Sequence, residues 1–195
     1  MANIIDTSYF VDDIELPNVN QAPIKAGVEK SIALYEKEVL ISLLGYSMYK
    51  DLVAAIALPY TAGDKWDKLI NGEEFTFTFE GETVTRYWDG LKGFEKKSLI
   101  AYYVYFMHRR KEVSYMAGVG TEVEAETENS TKVSLYEKLV WIWNEFLLMY
   151  GDGCTKGQYD NAEPSAYNYL TTKAANFTNW KFESQGEELN TFGVI

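Results

Sequence analysis

One stretch of the sequence limits the possible folds more than any other. Leu99 to Met107 reads LIAYYVYFM, nine residues without a charge. As a helix it is apolar on every side, which is typical of a helix surrounded by other elements. Its length is roughly 14 Å at 1.5 Å per residue, less than half the apolar thickness of a bilayer. We therefore predict a central buried helix, which we place over residues 91–116.

The chain before this helix has a helical period. Apolar residues recur at intervals of three and four, which places them on one helix face. They are Ile24, Val28, Ile32, Tyr35, Val39, Leu43 and Tyr46. Pro23 suits a first helical turn, and Gly45 suits a stop or kink. A second helix is predicted to end before Pro59, and a short third helix covers residues 64–70.

Residues 74–87 change to a period of two around Gly81, with phenylalanines alternating with threonines before the turn. This pattern predicts a β-hairpin. Packing on the helices or a contact with another subunit explains its aromatic residues better than stacking of nucleic-acid bases. The reason is charge, because residues 73–87 carry four acids against Arg86, whereas base-stacking sites lie in positive grooves.

A further long helix is predicted from about residue 134 to residue 150, and a short one over residues 164–172. The predicted fold class is therefore mainly α, a helical bundle of about four to five helices with one inserted β-hairpin and extended termini. We divide the chain into an N-terminal arm (1–21), a helical domain (22–172) and a C-terminal tail (173–195).

Charge and cysteine content restrict the class of protein. The chain has 18 Lys and Arg against 29 Asp and Glu, a formal charge of −11. This balance argues against attachment to DNA or to an anionic membrane through overall charge. Cys154 is the single cysteine, so no intramolecular disulfide forms, and a free thiol suits a reducing cytoplasm. The acidic N-terminus is unlike a secretory signal.

Motifs for catalysis and for cofactor binding are missing. His108 is the single histidine and no Gly-x-Ser-x-Gly motif occurs. A Ser–His–Asp or Cys–His site would therefore have to use His108, without the usual nucleophile motif. His108 and Cys154 together cannot form a closed zinc site. Gly118-Val119-Gly120 lacks the third glycine of a phosphate-binding loop. We predict no catalytic residue, no cofactor and no metal site, and we do not expect an enzyme.

Basic residues lie at both ends of the apolar helix. Lys96 and Lys97 precede it, and Arg109, Arg110 and Lys111 follow it. One interpretation is that they solvate the helix ends and complement the helix dipole. The other is that they form a basic patch for an acidic partner.

An acidic loop, residues 118–128, follows this helix, with an acid at every second position from Glu122 onward. Its residues of interest are Gly118, Gly120, Glu122, Glu124, Glu126 and Glu128. The loop is either a solvated segment or a strand whose acids all point one way. Such a strand would face a channel or a basic surface, for example that of a neighbouring copy.

The segment from Tyr35 to Leu52 resembles a segment of phage head–tail connector (adaptor) proteins from Bacteroidetes phages and prophages. The family segment has the pattern E-x-x-L-x-x-L-L-G-x-x-L/M-Y-x-x-L, and residues 35–52 read YEKEVLISLLGYSMYKDL. A second match begins with the long aromatic helix that is predicted to end at Met116. A Gly-Val-Gly loop follows it, and then residues 128–134, ENSTKVS, precede another long helix. Together the matches cover about residues 25–150.

This resemblance implies a mostly helical subunit that assembles as a ring between the portal and the tail, with DNA only as passing cargo. The implied partners are other copies of the chain, the portal and tail-completion proteins. The implied location is the host cytoplasm during assembly and then the virion. The acidic loop and the C-terminal tail would contact neighbours, the tail through apolar residues near its end. These are Leu189, Phe192, Val194 and Ile195.

Two alternatives stay open. One is a small-molecule-binding or enzymatic domain with a pocket lined by Tyr and Trp and no recognisable motif. The other is a nucleic-acid module that uses the basic residues between Lys92 and Lys111. An apolar cavity with convergent polar groups would favour the first, and salt-sensitive binding of DNA would favour the second.

Overall fold

The computed structural model describes residues 3–58, 61–79, 81–113, 116–117, 120–121, 135–151 and 165–183. These residues contain six α-helices, a β-hairpin and a shorter pair of antiparallel strands. The helices are α1 (Ala22–Leu44), α2 (Tyr46–Ala57), α3 (Lys65–Asn71), α4 (Leu99–Val113), α5 (Leu135–Tyr150) and α6 (Ala166–Thr172). The strands are β1 (Glu73–Phe79), β2 (Glu82–Trp88), β3 (Met116–Ala117) and β4 (Gly120–Thr121). Short 3₁₀ helices lie at Thr7–Tyr9, Asp12–Ile14, Phe94–Lys96 and Ala174–Asn176.

The predicted fold class, mainly helical with an antiparallel hairpin, is confirmed. The described residues contain slightly more helices than the four to five of the predicted fold class, and the six include two short helices, α3 and α6, of 7 residues each. The hairpin pairs β1 with β2 from Glu73↔Trp88 to Phe79↔Glu82. Its ladder is therefore one residue longer at each end than the predicted range of 74–87.

Helix α4 lies at the centre of the helical part. All eight residues from Leu99 to Phe106 are buried. Helix α1 packs against α4, as do α5 and the 3₁₀ helix at Asp12–Ile14. The hydroxyl of Tyr103 donates to Oε1 of Glu38 on α1 at 2.8 Å. The apolar run is thus enclosed by neighbouring elements, as its composition requires.

The predicted start of this helix, residue 91, is wrong, because α4 begins at Leu99. The backbone before it passes through positive φ at Gly93, Glu95 and Lys96, which a right-handed helix does not allow. Ser98 lies directly before the helix, and its Oγ accepts a hydrogen bond from the N–H of Ile100 at 3.2 Å. A serine that accepts from a first-turn N–H is a favourable helix start.

The apolar stripe of α1 is buried along most of its length. Its five central members are buried and Ile24 is exposed. Tyr46, predicted as the last member, is exposed and lies beyond Gly45 as the first residue of α2. Pro23 lies in the first turn. Gly45 ends the helix with a φ of +76°, a conformation that glycine adopts without steric cost. Both positions agree with their predicted roles.

Residues 180–183, the capping segment, run along the end of α1 and bind its last carbonyls. The backbone N–H of Glu183 donates to the carbonyl of Ser42 at 2.9 Å, and that of Lys181 donates to the carbonyl of Leu44 at 3.2 Å. Between them, the indole N–H of Trp180 donates to the carbonyl of Leu43 at 2.8 Å. The last carbonyls of a helix have no partner within the helix. The capping segment therefore supplies the hydrogen bonds that α1 itself lacks.

Aromatic rings join α4, α5 and the capping segment into one cluster. The rings of the aromatic cluster are Phe106, Trp143, Phe146, Tyr150 and Phe182. Successive ring centroids lie between 4.7 and 5.3 Å apart. Ring pairs of this kind stabilise a core by about 0.5–1.5 kcal/mol each beyond the area they bury. A large part of the aromatic content thus serves packing.

Replacing Gly45 by alanine is expected to lower the free energy of unfolding by about 1–3 kcal/mol. The alanine would have to hold a φ of +76° and a ψ of 151°, and its Cβ would lie 3.0 Å from Cβ of Lys181. Urea unfolding followed by circular dichroism measures the change.

Gly27→Ala is the matched control for this substitution. Gly27 lies within α1, and nothing would lie within 4 Å of an added Cβ. Alanine there is expected to raise the free energy of unfolding by about 0.5–1 kcal/mol, because it favours the helix over the unfolded chain. Equal effects at the two glycines would contradict the role assigned to Gly45.

Candidate functional site

Most residues predicted to contact neighbouring subunits lie outside the described residues. These are Gly118, Glu122, Glu124, Glu126 and Glu128 of the acidic loop, and Leu189, Phe192, Val194 and Ile195 of the tail. Gly120 is described, and it pairs with Ala117 in the short β3–β4 ladder. The roles assigned to these residues stay predictions.

The structure separates the predicted basic residues into two groups. Lys96 and Lys97 precede α4, whereas Arg109, Arg110 and Lys111 lie near its end. The helix between them holds the groups roughly 20 Å apart at 1.5 Å per residue. The five residues therefore do not form one continuous patch.

Local contacts account for the first basic group. Nζ of Lys96 donates to the carbonyl of Ser8 at 3.0 Å, and Nζ of Lys97 lies 3.5 Å from Oε2 of Glu145 on α5. The second group lies at the negative end of the α4 dipole, where positive charge is favourable. His108, next to this group, has its Nδ1 3.0 Å from Oγ of Ser31 on α1. This hydrogen bond joins two packed helices, which is a structural role for the single histidine.

Glu73, the first residue of β1, joins the hairpin to α3 and to the residues around α6. Its Oε1 accepts from the hydroxyl of Tyr169 and lies 3.0 Å from Nζ of Lys173, and its Oε2 lies 3.0 Å from Nζ of Lys68. Burial raises the pKa of Glu73, but the hydrogen bonds from Lys173, Lys68 and Tyr169 outweigh it and leave the pKa below its ordinary value. Burial and the charge of Glu73 raise the pKa of Tyr169.

Trp88, the last residue of β2, completes the base of the hairpin. Its ring stacks on that of Tyr169 with centroids 5.1 Å apart and planes 13° apart. Its indole N–H donates to the carbonyl of Leu69 on α3 at 3.2 Å. The ring of Phe75 meets Tyr169 edge-on at 5.4 Å. These contacts fix the base of the hairpin on α3 and α6.

The far half of the hairpin carries exposed side chains. Thr76 pairs with Thr85 and Thr78 with Thr83 across the two strands, and all four threonines are exposed. Among the described residues the sheet consists of β1 and β2 alone, so each strand keeps one open edge. An open edge offers backbone hydrogen-bonding groups to a further strand. The hairpin is therefore both a core element at its base and a candidate contact element at its far end.

A buried carboxylate holds the N-terminal segment, residues 3–16, against α1. Glu36 is 6% exposed, and its Oε1 and Oε2 accept the backbone N–H groups of Ile4 at 2.9 Å and Ile5 at 3.2 Å. Burial raises the pKa of Glu36 to about 7, although the two backbone hydrogen bonds lower it. Near neutral pH this group is therefore present in both protonation states.

A cavity of about 300 Å³ lies beside Glu36, between α1, α2 and the N-terminal segment. Its lining is mainly aliphatic, and Tyr49 is its one aromatic residue among those the structure describes. The volume is at the lower end of the range of small-molecule sites. The cavity thus combines a mainly apolar wall with the buried carboxylate of Glu36.

Neither Glu36 nor Glu73 was predicted from the sequence as a structural centre. For Glu36 a signal exists, because it lies four residues after Ile32 and four before Leu40, and this spacing places it among buried side chains. Glu73 carries no comparable signal, since its partners come from elements on either side of the hairpin in the sequence.

Within the ranges that the structure describes, no group of three or more His, Cys, Asp and Glu side chains could hold a metal ion. In the same ranges no helix is both long enough and apolar enough to cross a membrane. Comparisons of the chain with family models, with curated proteins and with solved structures found no match.

Glu36→Gln is expected to change how stability depends on pH. The pKa of Glu36 rises from 4.5 to about 7 on folding, so the folded state holds this proton more tightly than the unfolded chain. The stability that the group contributes is complete below about pH 4.5 and is lost as pH rises through about 7. As pH rises over this range, the free energy of unfolding of the wild type should fall relative to that of the variant by up to roughly 3 kcal/mol, because one pKa unit corresponds to about 1.4 kcal/mol.

Urea unfolding of both proteins across this pH range measures the difference. Glu29→Gln, an exposed position on the same helix, is the control and should keep the pH profile of the wild type. Parallel profiles for the wild type and Glu36→Gln would show that the carboxylate titrates at its ordinary pKa.

Proposed function

We propose that this protein is a structural subunit of a phage virion, a head–tail connector (adaptor) that assembles as a ring between the portal and the tail. The observation that carries the proposal is the resemblance of residues 35–52 to connector proteins. In this chain these residues form the end of α1, Gly45 and the start of α2. Most of their apolar side chains are buried, which is what a shared packing motif requires.

The architecture supports a role in assembly. The enclosed α4 and the aromatic cluster provide a packed helical body, and the hairpin offers open strand edges. Subunits of a closed ring need a body of this kind with elements that reach a neighbour. The acidic loop from Gly118 to Glu128 and the tail residues from Leu189 to Ile195 are the further contacts in this proposal.

The net charge of −11 also supports a connector. A ring through which DNA passes must not hold it, and negative charge provides repulsion. In this proposal the lasting partners are other copies of the chain, the portal and tail-completion proteins, and DNA is passing cargo. The protein is placed in the host cytoplasm during assembly and then in the virion. The two basic groups of α4 are candidates for contact with acidic surfaces of these partners.

Mass spectrometry of phage particles induced from the source strain tests the proposal. We expect the protein in a fixed, ring-like copy number relative to the portal, and antibody labelling at the head–tail junction. Particles that assemble normally without the protein would overturn the connector assignment. The cavity beside Glu36 would then favour the second candidate function, a small-molecule-binding domain, and ligand screening at that cavity would follow.

Deletion of Glu187 to Ile195 is expected to leave the subunit folded and to impair assembly. The deletion spares the capping segment and its hydrogen bonds to α1. The melting temperature should therefore change by less than about 2–4 °C, which corresponds to under about 1 kcal/mol for a chain of this size. Light scattering and negative-stain microscopy measure ring formation.

Phe146→Ala, which removes a ring of the aromatic cluster, is the comparison for this deletion. This substitution is expected to lower the free energy of unfolding by about 3–5 kcal/mol, as truncation of a buried phenylalanine does. A loss of that size on deletion of the tail would show that the tail belongs to the core and would contradict the assembly role.

A further inference from the structure

Among the residues that the structure describes, the outer edge of β2 is open on the far half of the hairpin. Thr83, Thr85 and Tyr87 are exposed along this strand, and in the described part of the chain no third strand joins the sheet. The carbonyl of Thr85 accepts a hydrogen bond from Nη1 of Arg86 at 3.1 Å. A guanidinium carries five N–H donors, so this bond does not prevent Arg86 from also meeting a carboxylate. Two strands alone form a marginal sheet in water, so a further strand would stabilise this one.

The charges of β2 are placed symmetrically. Glu82 and Arg86 are its two charged residues, and they lie two positions before and two positions after Val84. The period of two puts all three side chains on one face of the sheet. In a symmetric antiparallel pair, residues equally far from the two-fold axis face each other. With the axis at Val84, each Arg86 faces Glu82 of the other copy, and each Thr83 faces Thr85.

The edge of β1 lacks this complementarity. Its charged residues are Glu73 and Glu74, both acids. A symmetric pair of β1 strands would bring no opposite charges together. Charge complementarity therefore favours the β2 edge for pairing with an identical strand.

We infer that β2 is a docking edge for a second copy of this chain, whose own β2 adds antiparallel about a two-fold axis at Val84. The two hairpins then form a four-stranded sheet with two Arg86–Glu82 ion pairs and two threonine pairs across the contact. A two-fold contact pairs two copies in opposite orientations, whereas every contact in a ring repeats the same orientation. The inferred dimer is therefore a different contact from that of a connector ring. It describes the free protein in solution, and it does not rest on the connector proposal.

Val84→Cys in a Cys154→Ser background tests the register. Directly opposed Cα atoms of antiparallel strands lie about 4.5–5.5 Å apart, within the range that a disulfide spans. Under mild oxidation, Val84→Cys is expected to form a disulfide-linked dimer about tenfold faster than Thr76→Cys in the same background. Thr76 is the matched control, because it is an exposed residue of β1 next to Phe77, the cross-strand partner of Val84. Non-reducing gel electrophoresis follows both reactions.

Charge reversal tests the ion pairs independently. Glu82→Arg alone, or Arg86→Glu alone, places like charges opposite each other and is expected to weaken the dimer roughly fivefold. The double variant Glu82→Arg, Arg86→Glu restores opposite charges in the symmetric register and should return the dissociation constant to that of the wild type. Analytical ultracentrifugation measures the dissociation constants.

Three results would overturn the inference. The first is equal cross-linking of the two cysteine variants, which indicates random collision. The second is a double charge variant that associates no better than the single variants. The third is a wild-type chain that stays monomeric in ultracentrifugation, whether or not its β2 edge binds a strand of another protein. Circular dichroism of each variant checks that the fold is retained, so that a lost dimer reflects the edge itself.

Discussion

The apolar run of α4 has no polar face, so exposing any side of it to water is unfavourable. The rest of this protein packs around that helix. The residues from Leu99 to Phe106 are all buried, so α4 needs neighbours in several directions. Helices α1 and α5 and the N-terminal segment provide them. The stabilisation comes mainly from apolar area removed from water, at about 25 cal/mol per Å². Hydrogen bonds at the margin, such as that between Tyr103 and Glu38, fix how the helices are oriented.

Two carboxylates in this fold meet the cost of burial in different ways. Glu36 is held by two backbone N–H groups, and burial dominates, so its pKa rises. Glu73 is held by two lysines and a tyrosine, and the hydrogen bonds dominate, so its pKa falls. Removing a charge from water is unfavourable unless opposite charge or hydrogen bonds offset it. Each carboxylate also joins distant parts of the chain, which is why both lie where packed elements meet.

Local periodicity predicted much of this structure, and tertiary contacts account for what it missed. The stripe of α1 and the hairpin follow from spacing, and the stop at Gly45 follows from the freedom of glycine to adopt a positive φ. The start of α4 does not, because the turn before it is held by contacts such as that of Lys96 with Ser8. At the candidate site, the hairpin was predicted as a contact element or as core, and the structure shows a packed base with an exposed far half. The role of Glu36 depends on partners 31 and 32 residues away, which no helical spacing specifies.

The capping segment also sets the order in which the chain completes its structure. The hydrogen bond from Trp180 to the carbonyl of Leu43 spans 137 residues. Synthesis proceeds from the N-terminus, so α1 emerges well before the residues that bind its last carbonyls. Until Trp180 has been made, those carbonyls have only water as a partner, and the ring of Tyr150 lacks its contact with Phe182. A prematurely terminated product that ends before Trp180 would therefore retain an uncapped α1 and an incomplete aromatic cluster.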